Sequence, residues 1–429
     1  MLDEVNSLKK SLKIYRGLVE VSGLIGSITD YDELLRAILD VARRVISAEA
    51  ASLFFVNPAT GCLDLAIASS VEGEFDHKPI SVPKGRGIAG WVFEHGKGLL
   101  IEDAYADARF YKDADRQTGF RTRSILCAPL KRDGEVMGVL QILNPRDKPA
   151  FEQEDLDGFE AYANLTATAI EKLRNLQRLR EQERVQRDIA IAAEIQTELL
   201  SRAIPPSTPG LLFAAHNSPA SNVGGDFYDV FVKGPSEIFF SIGDVSGKGI
   251  AASLLMAQTL SAMQFVFAST DSPSDALTRL NNTLSDRIVR GMFVTTLVGR
   301  FLPESGVLEI ASAGHCQPVV LRANGHPEAL EVEPALPLGI LPGRTYSRRA
   351  FAFSPGDWLI VFTDGLSESQ AEKSDLFFDQ ILHASLEGIR SPSPDRIVQA
   401  LVQAESSHRG SRPQRDDLTI LVGGLAPPA

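Results

Sequence analysis

Cysteine is scarce in this chain: Cys62, Cys127 and Cys316 are the only three in 429 residues, and no CxxC pair occurs. An odd, scattered set gives no sign of a disulfide framework and favours reduced thiols in a cytoplasmic protein. No stretch approaches 18 uninterrupted apolar residues, so we expect no transmembrane span. The polar N-terminal segment lacks the long apolar run of a signal peptide.

Positive charge is also in short supply. The chain has 43 Lys and Arg against 55 Asp and Glu, a net charge of -12. Nucleic acids and anionic membranes attract clustered basic residues, so neither is an expected partner. A length of 429 residues instead suggests two or three domains, and 44% hydrophobic residues are enough for large cores.

The N-terminal part predicts an α+β domain over residues 14–165. Apolar residues recur at helical spacing through residues 14–50, and short alternating runs such as ASLFFV and VMGVLQIL then indicate strands. A helix over 152–175 is expected to close the domain.

Residues 166–204 predict a charged helical linker. Its apolar residues form an interrupted heptad pattern, which favours a parallel coiled coil between two subunits. A single solvated connector helix is the alternative. The segment Ile204-Pro205-Pro206 is expected to stop the helix.

Residues 205–427 alternate many strands with a few clustered helices. This pattern favours antiparallel sheets flanked by helices over a doubly wound parallel sheet. The fold class predicted for the whole chain is therefore α+β with two domains joined by a helix.

Four aspartate motifs lie beside strands in this last part. They are Gly224-Gly225-Asp226, Gly243-Asp244-Val245, Thr363-Asp364-Gly365 and Asp416-Asp417-Leu418. A carboxylate at a strand end can project into a shared cleft, and glycine beside it lets the backbone approach an ion or phosphate. One such dipeptide is usually an ordinary turn, but four in one domain predict a cluster.

A cluster of aspartates without histidine or cysteine is an all-oxygen ligand set. Such a set favours Mg²⁺ or Mn²⁺ over zinc or copper. Two ions of this kind can activate a water for in-line attack on phosphorus and neutralise charge on the phosphoryl oxygens.

Six motifs resemble, in order, those of the SpoIIE/RsbU-type branch of the metal-dependent protein phosphatases (type 2C, or PPM). They are GGDFYDV, GDVSGKGIAAS, SAGHCQP, PLGI, FTDGLSES and DDLTILV. The resemblance implies an α-β-β-α sandwich, two Mn²⁺ or Mg²⁺ ions, and a phosphoserine or phosphothreonine protein as substrate. It points to a small anti-sigma-factor antagonist as that substrate.

The same resemblance implies a role for each aspartate. Asp226 would bridge the two metals. Asp244 and the carbonyl of Val245 would hold one ion, and Asp364 and Asp416 the other. Since the motif places its ligand at the first acidic position, Asp417 is expected to contact a ligand residue and not the metal itself, although either aspartate could be the ligand.

Three further residues are candidates for supporting roles. Asp229 is expected to contact a metal-ligand residue or to have a purely structural role. Lys248 could meet a phosphate or be only solvated. His315 could donate a proton to the leaving oxygen, although a histidine at a strand end is more often a structural hydrogen-bonding residue.

Three patterns resemble other sites and are rejected. Residues 243–249 are one residue short of a P-loop and lack its closing Ser or Thr. Residues 85–90 fit GxGxxG, but no βαβ unit frames them. Cys316 and Arg322 have C-x5-R spacing, but the residues between them indicate a strand, and Pro318 removes an amide donor.

The N-terminal block resembles a GAF domain, a sensory fold. Residues 85–110, followed by SILCAPL and VMGVLQILN, carry this resemblance. It implies a small-molecule pocket or dimerisation, with the ligand unknown. A cyclic nucleotide is disfavoured, because Asn144 is followed by Pro145, and Asp155 by Leu156, where the cyclic-nucleotide subset has Lys and Glu.

Together these features predict a phosphatase regulated by a GAF sensor. Two alternatives remain open at this point. One is a non-enzymatic ligand-sensing scaffold with an inactive phosphatase-like domain, and the other is a phosphatase for small phosphoesters.

Overall fold

The fold was analysed in a computed structural model of the full chain. It describes residues 16–17, 19–20, 23, 28, 30–70, 73–74, 80–112, 115, 120–205, 210–234, 236–288, 291–369, 378–387, 389 and 391–425. The predicted domain limits at 14 and 427 lie outside these residues. The chain divides into two compact units, Met1–Glu183 and Arg184–Ala429.

The first unit is built on one antiparallel sheet with the order β3-β2-β1-β7-β6-β5, with β4 paired to β2. Its elements are α1 (Tyr31–Val45), β1 (Ala48–Val56), β2 (Leu63–Ser70), β3 (Gly73–Glu74), β4 (Ser81–Val82), α2 (Gly87–His95), β5 (Leu99–Ile101), β6 (Ile125–Arg132), β7 (Glu135–Pro145) and the start of α3 (Gln153–Ser201).

Residue alternation along β6 shows how this sheet is covered on both faces. Leu126 and Ala128 pack with α1 and the start of α3, whereas Ile125 and Cys127 pack with α2. Successive side chains of a strand point to opposite faces, so one apolar strand serves both cores.

Helix α1 corrects the end of the helix predicted over residues 14–50 and gives it a separate start at Tyr31; residues 14–15, 18, 21–22, 24–27 and 29 lie outside the described part of the chain. The Asp30 carboxylate accepts a hydrogen bond from the Glu33 amide at 2.9 Å and caps a helix that begins at Tyr31. The helix ends at Val45, and β1 follows from Ala48 after Ser47 adopts a positive φ of 55°. A local cap and turn therefore override the longer periodic pattern.

Helix α3 is longer than either of the two helices predicted for this region. It runs unbroken for 49 residues, from Gln153 to Ser201. Its first turns pack in the core of the first unit through Phe159 and Ile170, and Leu200 packs in the core of the second. The helix ends three residues before the predicted stop at Ile204.

The second unit holds two five-stranded antiparallel sheets, ordered β15-β12-β11-β10-β9 and β14-β13-β16-β17-β8. Its strands are β8 (Leu212–Ser218), β9 (Phe227–Val232), β10 (Ile238–Val245), β11 (Val294–Leu302), β12 (Val307–Ala313), β13 (Val319–Leu321), β14 (Pro327–Ala329), β15 (Arg349–Ala352), β16 (Trp358–Phe362) and β17 (Leu418–Gly424). Its helices are α4 (Ile250–Ser269), α5 (Pro273–Ser285), α6 (Asp364–Ser367), α7 (Phe378–Glu387) and α8 (Pro394–Arg409).

The two sheets pack face to face with helices outside them. In β16, Leu359 and Val361 join the central core, while Trp358 and Ile360 face the core formed with α7 and α8. Helices α4 and α5 cover the first sheet. This arrangement confirms the predicted sandwich of antiparallel sheets flanked by helices.

Among the described helices, α4 is long and apolar enough to cross a membrane by length and composition alone. Its buried side chains, including Met256, Met263 and Phe267, belong to the core that covers the first sheet. Core helices of globular domains meet the same criterion, so this helix is weak evidence for a span.

Candidate active site

Four strand termini meet at one end of the sandwich. Strands β9 and β10 are antiparallel with Phe227 opposite Gly243, so the start of β9 lies beside the end of β10. Strands β16 and β17 pair likewise, with Phe362 opposite Ile420. Antiparallel pairing thus brings the residues before β9 and β17 next to those that end β10 and follow β16.

Asp226 lies deepest among these termini. It directly precedes β9, is 1% exposed, and its Oδ2 accepts a hydrogen bond from Thr363 Oγ1 at 2.6 Å. Burial raises the pKa of Asp226 well above its usual range, and the charge of Asp244 raises it further. The carboxylate is therefore fixed in orientation beside a second carboxylate.

Asp244 is the next-to-last residue of β10, and its environment connects three of the predicted motifs. Burial raises the pKa of Asp244 to about 7, with added contributions from the charges of Asp364 and Asp416. The carbonyl of the next residue, Val245, lies close to the backbone of Gly225, where a Cβ atom would be 2.7 Å from the oxygen. Glycine is required there because any side chain would enter the space between the two loops.

Asp364 and Asp416 complete the group nearer the surface. Asp364 is the first residue of α6, and burial raises its pKa, as does the charge of Asp416. The Lys248 ammonium forms an ion pair with Asp416 at 3.1 Å, and both side chains are about half exposed. Lys248 also contacts the carbonyl of Arg415. The Lys248 ammonium thus lies at the open side of the aspartate cluster.

Asp417 differs from its neighbour Asp416 because both of its carboxylate oxygens accept hydrogen bonds from backbone amides. Oδ2 accepts a hydrogen bond from the Gly225 amide and Oδ1 from the Ala220 amide, each at 2.7 Å. Asp417 is 9% exposed. Its contacts suit a carboxylate that shapes the loop before Asp226, whereas Asp416 keeps its side chain at the open side of the cluster.

These contacts predict different effects for alanine substitutions at Asp417 and Asp416. We expect Asp417→Ala to lower the melting temperature of metal-free protein, because it strands two inward-facing amides at a cost of about 1–3 kcal/mol each. Asp416→Ala should leave that temperature within about 2 °C and weaken Mn²⁺ binding about tenfold. Differential scanning calorimetry with EDTA and calorimetric Mn²⁺ titration measure the two effects; the reverse pattern would exchange the roles.

The carboxylate oxygens of the aspartate group are chemically suited to bind divalent cations. Within the described ranges, no three His, Cys, Asp or Glu side chains already form a cage around one point. However, Asp226 is buried beside Asp244, and the negative charge of Asp244 raises the pKa of Asp226. Such a pair retains a proton unless a cation neutralises it, and oxygen ligands of this kind suit Mg²⁺ or Mn²⁺.

The raised pKa of Asp244 predicts how stability changes with pH. An unfolded Asp ionises near pH 3.8, whereas folded Asp244 holds its proton to about pH 7. Folded metal-free protein therefore binds more protons between these values, and its stability falls as pH rises through the window. We expect Asp244→Asn to remove part of this fall, giving a melting temperature about 3–8 °C above wild type at pH 8 in EDTA. Parallel pH profiles for the two proteins would refute this interpretation.

Asp229 lies apart from the aspartate group. It is on β9, 3% exposed, and burial raises its pKa to about 6, partly offset by a hydrogen bond from Gln264 of α4. None of the four motif aspartates contributes to this shift. The position agrees with the structural alternative for Asp229.

His315 is held within the fold beside the site. Its Nδ1 lies 3.2 Å from Thr295 Oγ1, and the Thr295 hydroxyl in turn lies 3.5 Å from the Asp244 carbonyl. Burial lowers the pKa of His315 to about 4, so the ring is neutral near pH 7. A neutral ring in this position favours a hydrogen-bonding role over proton donation.

Cys316 has the properties of a packed thiol. Burial raises its pKa to about 11, and the charge of Asp364 raises it further, so it is not a thiolate at neutral pH. Residues Val319–Leu321, within the C-x5-R interval, form β13. These observations agree with the rejection of a cysteine-dependent mechanism.

Sequence reasoning missed two threonines that organise the site. Thr363 and Thr419 are fully buried; the Thr363 hydroxyl accepts from the Thr419 amide at 3.0 Å while it donates to Asp226. Each threonine lies within a recognised aspartate motif. Their proximity follows from the β16–β17 pairing, which the motifs alone do not reveal.

The first unit contains a cavity of about 300 Å³ between β4, α2 and the sheet. Its wall is mainly apolar, with Phe54, Ile88 and Phe110, and it also includes Arg86 and Gln141. This cavity can accept a small molecule that has an apolar body and a polar group.

Residues related to the cyclic-nucleotide signature have structural contacts here. Asn144 has a positive φ of 56°, and its side-chain oxygen accepts from the Arg123 amide at 2.6 Å. Asp155 pairs with Lys148 and accepts from the Glu152 amide. Asp155 stabilises the turn into α3, Asn144 binds the segment before β6, and neither residue lines the cavity.

The second unit is thus an α-β-β-α sandwich with an aspartate cluster at one end, and the first is an α+β sheet domain with an apolar cavity. Residues 234–424 match the family described as Stage II sporulation protein E (SpoIIE), and residues 28–171 match the GAF domain family. The chain therefore combines a GAF domain with a SpoIIE-type domain of the PPM phosphatase fold, which confirms both predicted resemblances.

Similar proteins cover one part of the chain or the other. The phosphoserine phosphatase RsbU of Bacillus subtilis (strain 168) is 31% identical over 192 residues, which are 44% of this chain and 56% of RsbU. The probable 3',5'-cyclic phosphodiesterase pde-5 of Caenorhabditis elegans is 31% identical over 186 residues, 41% of this chain and 25% of that protein. The chain thus spans between a quarter and just over half of these relatives.

A solved structure shows the same fold. The SiaA-PP2C domain of Pseudomonas aeruginosa matches with a TM-score of 0.50 and 18% identity, covering 57% of this chain and 98% of that one.

Proposed function

We propose that the chain is a metal-dependent protein phosphatase that hydrolyses phosphoserine or phosphothreonine on a regulatory protein. The observation that carries the proposal is the meeting of four strand termini, which brings Asp226, Asp244, Asp364 and Asp416 to one end of the sandwich. The likeness to RsbU, a phosphoserine phosphatase, supports the same reaction class.

In this proposal the aspartates hold two Mn²⁺ or Mg²⁺ ions. Asp226 would serve both ions, Asp244 and the Val245 carbonyl would hold one, and Asp364 and Asp416 would hold the other. When bound, the ions supply Lewis-acid activation of water and neutralise phosphoryl charge. Thr363 keeps the Asp226 carboxylate in one orientation, and Lys248 presents a positive charge to an entering phosphate.

The substrate we infer is a small phosphoserine protein, an anti-sigma-factor antagonist. The open, half-exposed side of the cluster at Asp416 and Lys248 supports access by a protein-bound phosphate. We further infer that the protein works in the cytoplasm, in keeping with its free cysteines.

Regulation is proposed to come from the GAF domain. A small molecule in the cavity beside Arg86 would change the state of α3, and α3 would shift the phosphatase domain between metal-poor and metal-loaded states. Deleting residues 1–165 should therefore alter activity or its Mn²⁺ requirement. Unchanged values for both would refute this regulation.

We also propose a homodimer through residues 166–204. In this stretch α3 exposes a row of large apolar side chains: Leu176, Leu179, Val185, Ile191, Ile195 and Leu199. A parallel coiled coil would cover them. Light scattering of the full chain should give twice its 46.5 kDa mass.

The reaction is tested by measuring phosphate release from p-nitrophenyl phosphate, from a phosphoserine protein and from free small phosphoesters. We expect Mn²⁺-dependent, EDTA-sensitive hydrolysis of p-nitrophenyl phosphate and faster turnover of a phosphoserine protein. Preference for free small phosphoesters would favour the small-phosphoester alternative. No hydrolysis of any substrate, with or without residues 1–165, would favour the scaffold.

A further inference from the structure

The side chain of Gln196 pairs with the backbone of the loop that carries Asp226. Gln196 Nε2 donates to the Gly224 carbonyl at 3.0 Å, and the Gly224 amide donates to Gln196 Oε1 at 3.1 Å. Both backbone groups of one glycine are thereby satisfied by one side chain. Gly224 stands two residues before Asp226.

Gln196 belongs to the last turns of α3, which are part of the second unit. It is 7% exposed, whereas Ile195 and Leu199 beside it are 56% and 47% exposed. Two residues after α3 ends, the Ala203 carbonyl accepts a hydrogen bond from the Val230 amide of β9 at 2.8 Å. Gln196 of α3 thus binds the loop before β9, and the segment that follows α3 binds the strand itself.

The opposite side of this loop is held by Asp417, through the amides of Ala220 and Gly225. A Cβ atom on Gly224 would lie 2.3 Å from Asp417 Oδ2, so the loop has no room for a side chain at Gly224. Gln196 and Asp417 both bind the backbone of this loop. If Gln196 were displaced, Asp417 would still bind the amides of Ala220 and Gly225, but the hydrogen bonds at Gly224 would be lost and the loop before Asp226 would be held less firmly.

We propose that Gln196 is a positioning residue that places Asp226 for metal binding, and that its amide pair is the contact through which α3 controls the metal affinity of the site. The inference rests on the proposed dimetal function. Movement of α3 that breaks the pair would lower metal affinity, and movement that forms it would raise the affinity.

The chemistry of the pair requires an amide. Gln offers one donor and one acceptor at the same distance from its backbone. Met has a similar volume and fills the same space without either hydrogen bond. Glu keeps one oxygen as an acceptor for the Gly224 amide, but its second oxygen faces the Gly224 carbonyl, where it cannot donate. Gln186, exposed on the same helix, provides a matched control position.

The test uses the full chain as wild type, Gln196→Met, Gln196→Glu and Gln186→Met. Mn²⁺ is titrated calorimetrically into metal-free protein, and p-nitrophenyl phosphate hydrolysis is measured against Mn²⁺ concentration. We expect Gln196→Met to raise the Mn²⁺ dissociation constant and the half-activating concentration about tenfold, as two lost hydrogen bonds allow. Its KM for the phosphoester should stay within about twofold of wild type, and Gln186→Met should match wild type.

The outcomes separate the inference from the function on which it rests. Wild-type Mn²⁺ affinity in Gln196→Met would overturn the inference, as would a loss of thermal stability without a change in that affinity. Wild type that binds Mn²⁺ but hydrolyses nothing would refute the proposed function, while the calorimetric comparison would still decide the role of Gln196. Wild type that binds no Mn²⁺ would overturn both.

Discussion

Replacing Asp226 by Asn should reduce phosphatase activity about a thousandfold or more at saturating Mn²⁺. The amide keeps the volume of the carboxylate and an oxygen that can accept from Thr363, so the fold should survive. It loses the negative charge that the bridging position requires, and with it the means to hold two cations close together. Initial rates of p-nitrophenyl phosphate hydrolysis, with circular dichroism to verify folding, measure the effect.

Asp229→Asn is the matched control for this prediction. It makes the same chemical change at a buried position on the following strand, where the side chain meets Gln264 instead of the aspartate group. Its rate should stay within about threefold of wild type. Equal losses in the two variants would mean that buried charge on this strand, rather than the bridging position, determines activity.

Gly225→Ala should disable the site through the backbone. The new Cβ would lie 2.7 Å from the Val245 carbonyl oxygen and 3.2 Å from Asp244 Oδ1, two of the proposed ligand atoms. Since one methyl group must push these loops apart, we expect a loss of stability of about 1–3 kcal/mol. A displacement near 1 Å at the reacting groups should also lower activity about a hundredfold.

Gly23→Ala is the control for Gly225→Ala, because no atom lies within 4 Å of the Cβ position at Gly23. Activity and melting temperature of both variants should be measured with saturating Mn²⁺. Normal activity in Gly225→Ala would show that the close approach of the two loops is not needed for metal binding.

The fold was largely predictable because its signals are local. Strands such as β10 and β16 are short apolar runs bounded by turn residues, and their buried positions match the pattern. Strand β8 is not evident from the sequence, because LFAAHNS mixes apolar and polar residues and its half-buried side chains show little alternation. Its place in the sheet comes from pairing with β17, which local sequence does not encode.

Motif order indicated the aspartates of the site but not the network that holds them. Asp226, Asp244, Asp364 and Asp416 lie at strand ends that the sheets bring together, as expected from their positions beside strands. The hydrogen bond from Thr363 to Asp226 and the pair between Gln196 and Gly224 join residues 137 and 28 positions apart. Such contacts depend on tertiary packing, so a single sequence does not predict them.

The boundary between sensor and linker illustrates the same limit. The heptad pattern predicted a separate linker from residue 166, but α3 continues from Gln153 without a break. Few Gly or Pro residues interrupt that stretch, so helix propensity extends across both segments. One continuous helix therefore leads from the GAF domain to Gln196.

The number of Mn²⁺ ions bound per chain tests the central claim most directly. Calorimetric titration of metal-free, full-length protein should give two ions per wild-type chain, and fewer than two for Asp226→Asn. Two ions in wild type with loss of binding in the variant would agree with a dimetal phosphatase centred on Asp226. No bound ion in wild type, or full occupancy in Asp226→Asn, would contradict it.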